Sequence, residues 1–230
     1  MAIPPGHILE CRALLELYHD LRRERTARVQ RIHAVLFHQG APALGEGTLR
    51  TGPGVAALRA AADDCLSPAG QLQVATALEV TEGLEARLHA VRHQLLAAAR
   101  PLTGAKVLAA RLSGVGPVTG LAITCWLAGE GRVSSTRQAV RFAGLDITVS
   151  SSDRKGPPGR LSRQGPPVLR WAVYEAGKTH ARSSAPDHRY YAQVKENNGG
   201  KRAALSEARK IIRQACHNLT ELGDDALAAV

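Results

Sequence analysis

The stretch from Gly144 to Glu175, GLDITVSSSDRKGPPGRLSRQGPPVLRWAVYE, concentrates the reactive groups of this chain. Ser150, Ser151 and Ser152 follow an apolar run from Phe142 to Val149. They precede a loop constrained by Gly156, Pro157, Pro158, Gly159, Gly165, Pro166 and Pro167. A small hydroxyl at the mouth of such a loop can be approached closely. Arg154, Lys155, Arg160, Arg163 and Arg170 stand against only Asp146, Asp153 and Glu175 in the same stretch. An anion near the serines would therefore be held by charge-assisted hydrogen bonds, bidentate where the donor is Arg. The natural anion is a phosphodiester, with a serine hydroxyl as its nucleophile. The competing reading is a solvated basic loop in which the serines only cap the turn.

The charge of the whole chain points the same way. The formal net charge is +10, but residues 1–103 carry 11 Lys/Arg against 10 Asp/Glu, a balance of +1, whereas residues 104–230 carry 19 against 10, a balance of +9. A basic excess confined to one half is the electrostatic footprint of a nucleic-acid partner. Hydrophobic content is 44% with only 3% aromatics, which predicts helices packed through Ala, Leu and Val rather than a sandwich. Cys11, Cys65, Cys125 and Cys216 form no CxxC pair; they read as small buried hydrophobes in a reducing compartment. No apolar run approaches the roughly 20 residues that span a bilayer, and MAIPPGHILE is no signal peptide, so a cytoplasmic protein without membrane partners is expected.

Two long amphipathic segments occupy the first half. Leu14, Tyr18, Leu21, Val29, Ile32 and Leu36 recur at helical intervals, interrupted by Arg25, and predict a helix over residues 8–38. Val74, Leu78, Thr81, Leu84, Leu88, Val91 and Leu95 predict a second over 71–100, with a Gly/Pro-rich stretch and a short helix, Val55 to Cys65, between them. The expectation is an antiparallel coiled-coil arm, 1–103, intramolecular or dimerising. His89 and His93 lie one turn apart but lack a third ligand, and read as a solvated helix face.

The second half opens with a helix from Ala105 to Arg111, the run LSGVGPVT, and an apolar helix through Trp126. This is the pattern of a helix-hairpin-helix, in which Gly114 and Gly116 let the backbone approach a strand and the following helix N-terminus holds a phosphate; a plain helix-helix corner is the alternative. Helices are further predicted over Ser134 to Ala143, Val168 to Lys178, Tyr190 to Glu196 and Lys201 to Leu222, with Arg182 to Arg189 as a loop. In the last helix Ala204, Ala208, Ile211, Ile212, Ala215 and Leu219 face inward, and Arg202, Arg209, Lys210 and Arg213 outward. The fold class is thus mainly α, an arm followed by a helical domain over 104–230. No Gly-rich nucleotide loop and no hydrolase signature is present.

LSGVGPVTG, the run STRQAVRFAGLDITVSSSDRKGPPGRLSRQGPPVLRWAVYEA and the closing helix with ARKI together resemble the C-terminal domain of the Piv-like DEDD insertion-sequence transposases, a group that includes the bridge-RNA-guided recombinases. RRERTARVQRIHAVLFHQG is similar to the start of that family's coiled-coil linker. The resemblance implies a serine that attacks the DNA backbone, and the position past Gly144-Leu145 assigns it to Ser152, with Ser151 as the runner-up. Ile147 stands where the family tends to have proline, and Asp153 where glycine is expected. Gly114, Gly116, Arg154, Lys155, Arg160, Arg163 and Arg170 would contact nucleic acid.

The resemblance further implies an acidic, magnesium-binding domain ahead of the coiled coil. This sequence begins at the coiled coil, and Asp63 and Asp64, adjacent on a helix, make a poor metal pair. The expectation is therefore a truncated transposase, inactive alone, with no cofactor of its own and Mg2+ required only together with that acidic domain. Two functions of different classes follow. One is a serine-dependent DNA strand-transfer enzyme; the other is a catalytically dead remnant that binds DNA or a guide RNA and forms homo-oligomers through the arm.

Overall fold

The computed structural model describes residues 3–45, 47–129, 133–148 and 160–229. They are mainly helical: α1 Gly6–His38, α2 Gly52–Cys65, α3 Pro68–Ala99, α4 Thr103–Arg111, α5 Pro117–Leu127, α6 Thr136–Phe142, α7 Pro167–Lys178, α8 His188–Asn198 and α9 Gly200–Leu222. One antiparallel pair of two-residue strands, β1 Ile147–Thr148 and β2 Arg160–Leu161, interrupts this pattern. By packing, the chain divides into two compact units, one comprising Met1–Glu16 with His93–Val230, the other Leu17–Arg92. Among the described residues no helix is long and apolar enough to cross a membrane.

In the Leu17–Arg92 unit the helix ends are set by local chemistry. Thr51 caps α2 by accepting the Gly54 N–H at 3.2 Å, and Ser67 caps α3 by accepting the Gly70 N–H at 3.2 Å, with Pro68 at the first helical position. Gln39 accepts the Ser67 N–H at 2.8 Å and ties the chain leaving α1 to the start of α3. Ile32, Val35 and Leu36 of α1, Leu58 and Ala62 of α2, and Val74, Ala77 and Leu78 of α3 form one core, joined by Leu49 from the 3-10 turn Thr48–Arg50. Arg25, the interruption in the apolar stripe, donates Nε and Nη2 to one Glu85 oxygen at 2.8 and 2.6 Å. Partly exposed, such a pair contributes only about 0.2–1 kcal/mol. It keeps a cation on a helix face that is otherwise apolar.

In the other unit α5 is the central helix: Leu121, Ala122, Ile123 and Cys125 are fully buried, as a helix apolar on all sides must be. α9 packs mainly against α7, α8 and α6 through a regular stripe of Ala203, Ala204, Ala208, Ile211, Ile212, Ala215 and Leu219, all buried, and α7 adds Leu169, Ala172, Val173 and Ala176. The start of α4 is fastened to the far end of the chain, where the Thr103 N–H and hydroxyl both donate to the Ala228 carbonyl at 3.0 and 3.2 Å.

Several expectations need correction. The buried register of α1 runs through Leu15, which has no exposure, while Leu14 and Tyr18 are half-buried. α6 starts at Thr136 because Ser135 is its cap, accepting the Gln138 N–H at 3.2 Å, and α8 starts at His188, inside the stretch expected to be loop. Cys65 is exposed, unlike Cys11, Cys125 and Cys216. Arg209 is half-buried rather than outward, for a reason that belongs to the site.

Candidate nucleic-acid interface

Two features of the larger unit offer backbone and cationic groups to a ligand. The first is the turn between α4 and α5. Gly114 adopts φ +80°, and a Cβ there would collide with the Thr179 hydroxyl and stand 2.6 Å from the Ala176 carbonyl oxygen, so the fold itself demands glycine. Gly116 differs. Its φ is −90°, the nearest atom to an added Cβ is the Thr119 Oγ1 at 3.9 Å, and the residue is exposed. Among the described residues nothing closes on this position to require glycine. The Gly116 N–H donates to the Thr119 Oγ1 at 2.7 Å, whose hydroxyl in turn donates to the Gly116 carbonyl at 2.9 Å, fixing the first turn of α5. Beside this turn lies a cleft of about 620 Å³ lined by Ala110, Ser113, Gly114, Gly116, Arg182 and Ser184. The Arg182 side chain is exposed there.

The second feature is the base of the serine loop. α6 ends in a two-bond cap: the Leu145 N–H donates to the Val140 carbonyl at 3.1 Å and the Gly144 N–H to that of Arg141 at 2.9 Å, with Gly144 at φ +67°. The chain then enters β1, where Ile147 pairs with Leu161 and Thr148 with Arg160. The Ser162 N–H donates to the Asp146 carbonyl at 2.9 Å and the Arg163 N–H to that of Gly144 at 3.2 Å. Arg163, exposed, holds φ +51°, an uncommon conformation for a residue with a side chain. Two arginines pin this base from the helices behind it. Arg209 of α9 donates Nε to the Leu145 carbonyl at 2.9 Å, and Arg170 of α7 donates Nη1 to that of Ala143 at 3.4 Å. Burial is the main cause that pulls both guanidinium groups below the usual arginine range, with Arg163 adding to it at Arg170 and Arg213 at Arg209. They stay protonated at neutral pH.

The structure thus brings Arg163 and Arg170 together at one end of the hairpin, Arg170 half-buried against backbone and Arg163 open. Gly114 and Gly116 lie in the separate turn. Ser151, Ser152, Arg154 and Lys155 lie outside the described residues, as does the Arg160 side chain, although the Arg160 backbone closes the ladder.

Sequence reasoning missed two groups. Arg209 reads as one of several outward cations of α9, and only its partner carbonyl reveals it. Glu207 is fully buried, and the signal was present: it falls on the stripe of Ala203, Ala204, Ala208 and Ile211. Beside it stand His180 and Asp187.

Residues 107–193 match the model of the Transposase IS116/IS110/IS902 family, a segment that runs from α4 through the glycine turn and both strands into α8. This match supports a transposase of that family, and with it interaction with DNA and a role in DNA transposition. No curated protein matches the chain.

Proposed function

We propose that this chain supplies the DNA-contacting, serine-bearing part of a strand-transfer reaction. The observation that carries the reading is that one family match, residues 107–193, encloses both the glycine turn and the serine hairpin, and that both features belong to the same compact unit. The Ser152 Oγ would attack a phosphodiester phosphorus, with Ser151 as the alternative nucleophile. Its proton passes to a base, the bond from phosphorus to one DNA oxygen breaks, and that oxygen leaves as a hydroxyl, so that a phosphoserine link holds the strand until a second DNA hydroxyl attacks it. Arg154, Lys155 and Arg160 neutralise the charge that develops on the phosphate, while Arg170 and Arg209 hold the loop base still.

The magnesium ligands that the family resemblance implies are not matched by Asp63 and Asp64. Both are exposed on α2, and as helical neighbours they project about 100° apart. This misfit favours a second reading, in which the chain alone grips DNA or a guide RNA, assembles through its long helices, and does not cut.

Covalent adduct formation on labelled element ends in Mg2+ separates the two readings. The chain alone should bind without forming an adduct. With the acidic, magnesium-binding domain that the resemblance implies added in trans, an adduct should form and be lost in Ser152→Ala while binding persists. An adduct from the chain alone would overturn the non-cutting reading, and one that survives Ser152→Ala would move the nucleophile elsewhere.

A further inference from the structure

We infer that His180, Asp187 and Glu207 form a divalent-metal site of the zinc type behind the glycine turn. The inference does not depend on the transposase reading. His180 comes from the 3-10 turn after α7, Asp187 from the residue before α8, and Glu207 from the middle of α9; their ligand atoms all lie within 4.8 Å of one another. His180 is 2% exposed and Glu207 has no exposure at all. Yet the His180 Nδ1 and both Glu207 carboxylate oxygens have no hydrogen-bond partner. Buried polar atoms are almost always paired, so three converging orphans call for a ligand.

The distances tell which kind. The His180 Nδ1 lies 3.5 Å from Glu207 Oε2 and 3.9 Å from Asp187 Oδ2. A simple imidazole–carboxylate pair would close to about 2.7–2.9 Å. Ligands held about 2.0–2.1 Å from a tetrahedral Zn2+ stand about 3.3 Å apart. Those of an octahedral Mg2+ stand about 3.0 Å apart and are oxygens. Both spacings are too long for a direct pair and leave room for an ion between the groups, and the imidazole donor favours the tetrahedral one, with a fourth position left for water.

The surroundings are those of a metal ligand set. The other ring nitrogen of His180, Nε2, is 3.2 Å from the Ser113 carbonyl oxygen, the kind of acceptor that orients a metal-bound imidazole, while Nδ1 faces the carboxylates. Asp187 presents Oδ2 to the site while its Oδ1 pairs with Lys210 Nζ at 2.5 Å. Because Ser113 belongs to the glycine turn, the ion would couple α9 to that turn through one imidazole. Burial pushes the Glu207 carboxyl up from the usual carboxylate range, with His180 and Lys210 opposing it and Asp187 adding to it.

The test is titration of the chelator-dialysed full chain with Zn2+ against a chromophoric competitor, repeated with Co2+ to read its visible absorption. One equivalent of Zn2+ should bind, Co2+ should give the intense band of a tetrahedral site, and millimolar Mg2+ should not compete. Glu207→Gln should abolish stoichiometric binding. Asp187→Asn, at a partly exposed position, should weaken it at least tenfold with unchanged far-ultraviolet dichroism. No stoichiometric binding by the wild-type chain, an octahedral Co2+ spectrum, or Asp187→Asn binding as tightly as wild type would each overturn the inference.

Discussion

Gly114 and Gly116 stand two positions apart in one turn, and the backbone treats them differently. Gly114→Ala must place a side chain in the left-handed region, against the Thr179 hydroxyl and the Ala176 carbonyl. Strain of about 1–2 kcal/mol and a clash of about 1–3 kcal/mol should together lower stability by roughly 2–5 kcal/mol. Gly116→Ala meets open space at a permitted φ and should change stability by less than about 0.5 kcal/mol. If Gly116 is glycine for the sake of a strand outside the protein, the same substitution should weaken duplex binding several-fold. Urea denaturation and a binding titration on the two variants check both statements, and equal stability losses would remove the distinction. The sequence motif announced both glycines but could not say which served the fold, because that depends on Thr179 and Ala176, more than 60 residues away. Arg209 was illegible for a related reason, looking like an ordinary outward cation of a basic helix until the Leu145 carbonyl is seen beside it. Glu207 could be placed on the buried stripe from its spacing, but not beside the His180 imidazole.

At the scale of elements, helix periodicity found each helix longer than two turns, but not always its buried register, as Leu15 in place of Leu14 shows, or its first residue, as in α8. The two-residue strands were not legible: Ile147–Thr148 and Arg160–Leu161 are too short for any period, and their pairing depends on the α6 cap and on two arginines from distant helices. The expected arm residues also divide by burial. Leu84 is 5% exposed, whereas Leu88 is half-buried. Leu84→Glu should therefore cost about 3–5 kcal/mol and lower the thermal midpoint of the Leu17–Arg92 unit. Leu88→Glu should leave the helicity nearly unchanged. If copies of the chain associate through this face of α3, its effect should appear in sedimentation as a shift toward monomer. A Leu88→Glu variant as unstable as Leu84→Glu would contradict the burial difference, and unchanged sedimentation would argue against association through that face.

For the molecule as a whole, the uneven charge is the property that joins the sequence to the proposed work. Residues 104–230 carry a balance of +9 and hold the turn, the hairpin and the family match, while residues 1–103 are nearly neutral. Contacts made mainly to phosphates release counterions, so each phosphate neutralised adds about 0.9 to the steepness of the log–log dependence of affinity on salt. The most direct measurement is duplex-DNA affinity of the full chain across a salt series. About six phosphate contacts, a modest share of the cations available, would give a slope near −5 and roughly a thousandfold loss between 50 and 200 mM salt. A flat dependence, or no binding at the lowest salt, would contradict the account.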